Sequence, residues 1–328
     1  MVQLSDPTFR SIYRFTPTRR GRPFLFKLVM TIKTAVRCDF EYAVQGDTHF
    51  CFNLQAAHTA DQTVLSESLK VTPGMELREY EDPNNGNRFF RLDAPTGVFQ
   101  ISYETVVQID RAVTDSSLPE VRISDLPDDV LHYLMPTRYC ESDVMGRCAQ
   151  NLFGNIPPGY GRINTICEWI RDNISYTIGL TTSSTSAQDV FLQRSGVCRD
   201  FAHLGITFCR ALNIPARFVV GYVVFDEPPQ DFHAVFEAWL GGRWVLFDPT
   251  GMACMERMVR VGTGRDAKDA AFSTVYGGMQ MTRMEIQVNY DGIAPEENQD
   301  PAQATVLVIL PPPAAVFSEA VALIPASA

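Results

Sequence analysis

The sequence predicts an α+β chain in two parts: an N-terminal all-β sandwich, then a core in which a helix packs on an antiparallel sheet. Three observations carry this. From Thr31 to Val113 apolar and polar residues alternate with period two, between turn signals spaced as in a sandwich. From Arg162 to about Tyr290 helical and strand periods alternate. Within that stretch two strands are joined by Gly241-Gly242, the mark of a β-hairpin. The 328 residues suit two domains at about 150 residues each.

Residues 1–30 form a basic leader, with Arg10, Arg14, Arg19, Arg20, Arg22 and Lys27 against Asp6 alone. Its apolar run Phe24-Leu25-Phe26 is cut by Lys27, too short for a secretory signal. It reads as a disordered leader, or as residues upstream of a start at Met30. The all-β domain spans 31–115. Ile101, Tyr103, Thr105, Val107 and Ile109 share one face of a strand, and Ser102, Glu104, Gln108 and Asp110 the other. Turns are expected at Thr72-Pro73-Gly74, Asn84-Asn85-Gly86-Asn87 and Pro95-Thr96-Gly97. A connector, 116–158, holds the Pro157-Pro158 pair. The catalytic domain is placed at 159–290, opening on an amphipathic helix over Arg162–Ile174 with Ile163, Ile166, Cys167 and Ile170 on one side. An Ala/Pro-rich tail, 291–328, closes the chain.

Composition removes several classes. Hydrophobic residues make up 45% and charged residues 20%, enough for a core without disulfides. The net charge of −10 argues against nucleic acid as a partner. No uninterrupted apolar stretch of membrane-spanning length occurs, so no membrane partner is expected. The eight cysteines are dispersed, with no C-x-x-C pair, and the five histidines are scattered; no metal and no cofactor are expected. Dispersed thiols point to a reducing, cytoplasmic setting.

One cysteine stands in a different context. Cys198 opens a helix on which Phe201, Leu204, Phe208 and Leu212 recur at helical spacing, ended by Asn213-Ile214-Pro215. A thiol at a helix N-terminus is stabilised as thiolate by unpaired N–H groups and the helix dipole. Those N–H groups also suit an oxyanion. Taken alone, such a cysteine reads as a small buried packing residue, as does Cys209 in the same helix. The hairpin changes the balance. With a two-residue loop Leu240 faces Arg243 and Val235 faces Asp248, so His233 and Asp248 share a face as diagonal neighbours. A nucleophilic thiol needs an imidazole to take its proton and a carboxylate to orient that imidazole. Cys198, His233 and Asp248 supply all three. His49, His58, His132 and His203 have no comparable context.

Gly196-Val197-Cys198-Arg199-Asp200-Phe201-Ala202-His203-Leu204 resembles the nucleophile motif of bacterial transglutaminase-like cysteine enzymes. Ile214-Pro215-Ala216-Arg217, Asp231-Phe232-His233-Ala234 and Trp244-Val245-Leu246-Phe247-Asp248-Pro249-Thr250 continue the resemblance in order. Pro136-Thr137-Arg138-Tyr139-Cys140 and the β segment are similar to the region that accompanies this domain in bacteria. The resemblance, over roughly 31–290, implies a papain-like core with Cys198 as nucleophile, His233 as base and Asp248 as orienter. Val235 departs from it, standing where an aromatic residue is common. The expected reaction is acyl transfer through a Cys198 thioester on a peptide or protein amide. Hydrolysis by a cysteine protease or amidase is preferred; amine transfer by a transglutaminase is the alternative, and a non-catalytic binding module the second. Two motifs are set aside. Val261-Gly262-Thr263-Gly264-Arg265-Asp266-Ala267, with Glu285 beyond it, matches a dinucleotide fingerprint but lacks a βαβ setting. Asn173-Ile174-Ser175 matches a glycosylation acceptor without a secretory signal.

Overall fold

The computed structural model describes residues 29–112, 115–225 and 230–290. The tail at 291–328 and nearly all of the leader lie outside the described residues. The first strands are β1 (Val29–Val44), β2 (Thr48–Phe52), β3 (Gln62–Thr72), β4 (Arg78–Glu81), β5 (Arg88–Ala94) and β6 (Gly97–Ala112). β1 and β6 pair antiparallel along their whole length, from Val29 opposite Ala112 to Val44 opposite Gly97. Alternation works as read: Ile101, Tyr103, Thr105, Val107 and Ile109 are buried, and their neighbours face outward. The two sheets meet through aromatic rings. Tyr42 packs at 5.5 Å from Phe50, and Phe99 meets Phe50 edge-on at 5.1 Å.

The sandwich is finished from the far end of the chain. β13 (Ser273–Tyr276) and β14 (Met279–Tyr290) were expected within the catalytic unit 159–290. Instead β14 pairs with β1, Thr34 opposite Tyr290, and β13 pairs with β2, Tyr276 opposite His49. The sheet orders are β14-β1-β6-β3 and β13-β2-β5-β4. The reason is physical: without β14, β1 is an open edge with unpaired backbone groups, and β14 brings buried Ile286 and Val288 to it.

Between these ends lies the core. The stretch read as connector carries two short 3-10 turns and helix α1 (Gly146–Phe153). α2 (Tyr160–Asn173) follows, with Ile163, Ile166, Cys167 and Ile170 buried as expected. Next come β7 (Ser175–Tyr176), α3 (Ala187–Gln193), β8 (Ser195–Gly196) and α4 (Cys198–Ala211). A four-stranded antiparallel sheet is built from β9 (Ala216–Tyr222), β10 (His233–Leu240), β11 (Arg243–Phe247) and β12 (Val259–Gly264), in the order β11-β10-β9-β12. The hairpin has the predicted register, Leu240 opposite Arg243 and Phe236 opposite Phe247. Gly241 and Gly242 take φ of 55° and 82°, the double positive pair of a type I′ turn. The glycine-rich stretch at 261–264 is strand, antiparallel to β9 at the sheet edge, with no βαβ unit.

α4 lies between the sheet and the other helices. On its helical side Phe208 meets Phe153, Trp169 and Phe191 with centroids 5.1, 5.7 and 6.1 Å away. On its sheet side Gly205 faces Phe236 so closely that a Cβ there would stand 2.5 Å from the ring. That approach sets the distance between α4 and β10, the elements carrying Cys198 and His233. Gly205→Ala is expected to destabilise the fold by about 1–3 kcal/mol through overpacking. An unchanged denaturant midpoint would contradict this contact.

Candidate active site

Cys198 is the first residue of α4, and its helix start is built by Asp200. That carboxylate is fully buried. Its Oδ2 accepts from the Val197 N–H at 3.0 Å and from Thr181 Oγ1 at 2.7 Å. Its Oδ1 accepts from Arg199 Nε at 3.0 Å and Nη2 at 2.6 Å. Gly196 leaves room for it, since a Cβ there would lie 2.8 Å from Asp200 Cβ. The turn into α4 is therefore fixed, and Cys198 stays half-buried at its start.

His233 begins β10 and is 1% exposed. Asp248 follows β11 directly. The shared face predicted from the hairpin brings them together: His233 Nε2 lies 3.1 Å from Asp248 Oδ2. That leaves Nδ1 for Cys198, whose thiol lies within hydrogen-bonding reach of the imidazole. Burial opposes an imidazolium here, but Asp248 and Cys198 outweigh it and push the His233 pKa up to about 10. Burial likewise opposes the Asp248 carboxylate, but hydrogen bonds from His233 and Thr250 hold its pKa below the ordinary value. The structure thus brings all three predicted side chains together.

Asp248 does more than orient a ring. Oδ1 accepts from the Thr250 N–H at 2.8 Å and from Thr250 Oγ1 at 2.7 Å. Oδ2 also accepts from the Met252 and Ala253 N–H groups, each at 3.1 Å. The loop from Pro249 to Met258 is folded around this carboxylate. The sandwich grips the same loop: Arg111 of β6 donates from Nη1 to the carbonyls of Met255 at 2.6 Å and Met258 at 3.3 Å. Asp61 holds Arg111 in place through Nε at 2.9 Å. Tyr290 of β14 receives the Arg257 guanidinium 4.6 Å from its ring centroid.

Two neighbours escaped the sequence reading. Tyr176 of β7 lies against Cys198. Asp231 lies two residues before His233; burial pushes its carboxyl up to about 6, against the pull of the Phe232 N–H and His233. Asp231 was visible inside a motif already singled out, whereas a two-residue strand leaves no periodic signal for Tyr176. The remaining histidines play other parts. His203 is buried, stacks on Tyr139 at 5.2 Å and accepts from the Ala267 N–H at 3.1 Å. His49 and His58 bond Asp93 at 2.6 Å and Glu81 at 2.8 Å. Asn173 donates to the Trp169 carbonyl at 2.8 Å, closing α2.

Among the described residues no three His, Cys, Asp or Glu side chains are grouped to hold a metal ion. No helix among them is long and apolar enough to cross a membrane. A separate cavity of about 620 Å³ lies between the sandwich and the outer face of the β9–β12 sheet, lined by Asp61, Arg111, Arg217, Glu237, Trp244 and Arg260. It is lined by none of Cys198, His233 and Asp248.

Comparison with known proteins agrees with both halves. Residues 32–129 match the model for the N-terminal domain of bacterial transglutaminases. Residues 146–249, which contain Cys198, His233 and Asp248, match the transglutaminase-like superfamily. A crystal structure of a provisionally named cysteine protease from Cytophaga hutchinsonii is 41% identical, with a TM-score of 0.77, over 80% of this chain and 93% of that one. An uncharacterized protein of Mycobacterium leprae is 28% identical over 71% of this chain and 88% of its own length. An uncharacterized protein of Mycobacterium tuberculosis H37Rv is 38% identical over 114 residues, 30% of this chain and 36% of its own.

Two outcomes follow from the geometry. The His233 pKa lies above its ordinary 6.5, so the imidazolium adds stability that is full below about pH 6.5 and lost as pH rises through about 10. Asp248→Asn removes the carboxylate and lowers that upper value; ring-nitrogen NMR of His233 reads the shift, and an unmoved titration would contradict the pairing. Arg111→Ala frees the loop that holds Asp248, and is expected to raise hydrogen exchange at the Met252 and Ala253 amides by about tenfold or more, for about 1.5 kcal/mol of lost hydrogen bonding.

Proposed function

The chain belongs to the transglutaminase-like superfamily, and from that premise we propose that it is a thiol acyl-transfer enzyme, a cysteine protease or amidase acting on peptide or protein amides. The observation that carries this reading is the line of contacts from the Cys198 thiol through His233 to Asp248 Oδ2, with its 3.1 Å His–Asp bond. His233 takes the thiol proton, and the thiolate adds to an amide carbonyl carbon. His233 then gives that proton to the leaving nitrogen as the C–N bond breaks, leaving a Cys198 thioester. Water, deprotonated by His233, attacks the thioester and releases the acid and the thiol. Asp248 fixes the ring with Nδ1 towards sulfur and supports the imidazolium.

Hydrolysis is preferred to amine transfer because Cys198 is half-buried rather than enclosed. Diverting a thioester to an amine requires a site that excludes water. All eight cysteines are unpaired, which supports a cytoplasmic, reducing setting.

Iodoacetamide at about pH 6, below a free thiol's pKa, tests the activated thiol. Cys198 is expected to alkylate faster than exposed Cys254, and His233→Ala to abolish the difference. Equal rates in the native protein would leave the binding-module reading. Incubation with casein and a biotinylated alkylamine separates the two reactions. Cleavage without biotin incorporation is expected; incorporation without cleavage identifies a transglutaminase.

A further inference from the structure

The cavity between the sandwich and the outer face of the β9–β12 sheet takes no part in the reaction above. Its volume of about 620 Å³ falls among those of small-molecule sites, commonly about 300–1,000 Å³. At its base the buried Glu237 of β10 accepts from Arg217 Nε of β9 at 2.7 Å and from Arg260 Nη1 of β12 at 3.0 Å. On the sandwich side Asp61 accepts from Arg111 Nε at 2.9 Å. Three guanidiniums thus stand on two carboxylates, leaving one positive charge unmatched in the inner wall. The other charged groups on the wall, Arg243, Glu81, Asp110 and Glu256, are more exposed, where water screens them. Two of these carboxylates already have neutral donors or a histidine: Glu81 meets His58 at 2.8 Å, and Asp110 accepts from Thr31 at 2.6 Å.

The inner wall also has more donors than acceptors. Arg217 uses only Nε on Glu237, and neither of its Nη groups meets an acceptor among the described residues. Its guanidinium carbon lies 4.1 Å from the Trp244 ring centroid, and its side chain is 16% exposed. A guanidinium bonded at Nε and held flat on an indole presents its remaining N–H groups in a fixed fork, which matches the two oxygens of a carboxylate. Arg111 Nη2 and Arg260 Nε, in the same wall, are buried without an acceptor. Unmet donors and an unmatched positive charge at one place both call for an anion. Beside them lies an apolar strip. In the register of the hairpin Leu246 is opposite Glu237 and Trp244 opposite Trp239, so Trp244 and Leu246 share the face of β11 that borders the cavity.

We propose that this cavity binds a small organic molecule through a carboxylate seated on the Arg217 fork, with its apolar part against Trp244 and Leu246. A single negative charge matches the inner wall, whereas a doubly charged anion is opposed by the more exposed Glu81, Asp110 and Glu256. The site is separate from Cys198, His233 and Asp248 and does not depend on the acyl-transfer reading. It borders that machinery all the same, since Met255 and Glu256, from the loop folded around Asp248, line the cavity.

Calorimetric titration of the full-length protein tests this with hippurate, a carboxylate on an aromatic body, and hippuramide, its neutral isostere. Hippurate is expected to bind with a Kd of about 1 mM or lower. Hippuramide is expected to bind at least about tenfold more weakly, having lost the charge-assisted pair. Arg217→Lys keeps the cation but not the fork, and is expected to weaken hippurate by about tenfold. Hydrogen exchange locates the site, with protection by hippurate expected in peptides covering residues 58–61 and 243–258. The two probes and the exchange map are read on the native protein, so they decide the matter even if the variant does not fold. Absence of hippurate binding up to about 10 mM, equal affinity for hippuramide, or protection confined to the surroundings of Cys198 would overturn the inference. Displacement of hippurate by an equal concentration of sulfate would reveal an unselective cationic patch, and would overturn it too.

Discussion

The carboxylate of Asp248 faces two ways. One oxygen orients the His233 ring, and both oxygens gather the backbone of Thr250, Met252 and Ala253. An ionised carboxylate accepts several hydrogen bonds at once, and donors supplied by protein rather than water keep it ionised when buried. The same charge that raises the imidazole's proton affinity therefore shapes the loop beside it. A change in that loop alters the ring, and a change in the ring's charge is felt by the loop.

That dependence reaches the sandwich. Arg111 donates to the loop's carbonyls, Arg257 of the loop stacks on Tyr290, and the Tyr290 hydroxyl accepts from the Val224 N–H at 3.2 Å just beyond β9. Tyr222 of β9 donates to the Leu54 carbonyl at 2.7 Å, and Asn87 exchanges bonds of 2.8 Å with Thr263. The sandwich and core share one continuous buried cluster, from Phe50 and Tyr42 through Phe208 to Phe236. The N-terminal half thus supports the loop that holds the orienting carboxylate, as well as packing beside the core.

Much of this could be read from residues alone, where a local rule sets the geometry. Gly241-Gly242 fixes a two-residue turn, the turn fixes Leu240 against Arg243, and parity then puts His233 and Asp248 on one face. The helix from Cys198 is legible because its apolar face repeats over several turns. Helix α1 is not, since only Ala149 and Phe153 of its eight residues are buried, one i,i+4 pair. Tyr176 and the β13–β14 return depend on pairings between distant segments. Nothing local marks Tyr176 as opposite Gly196, or Tyr290 as opposite Thr34. Side chains that bond a loop backbone, as Asp248 does here, are invisible until the loop's path is known.

The pairing of β14 with β1 gives the molecule a history as well as a shape. During synthesis β1 emerges early and must wait for nearly all of the remaining described chain before its neighbour exists, a pairing of very high sequence separation. β6 can join it much sooner, but the sheet keeps an open edge until the end. Tyr290 arrives with that last strand and contacts both the loop's Arg257 and the segment after β9. Full order around the reactive thiol is thus reached last, so a ribosome-bound fragment ending before β14 lacks the finished architecture of the site.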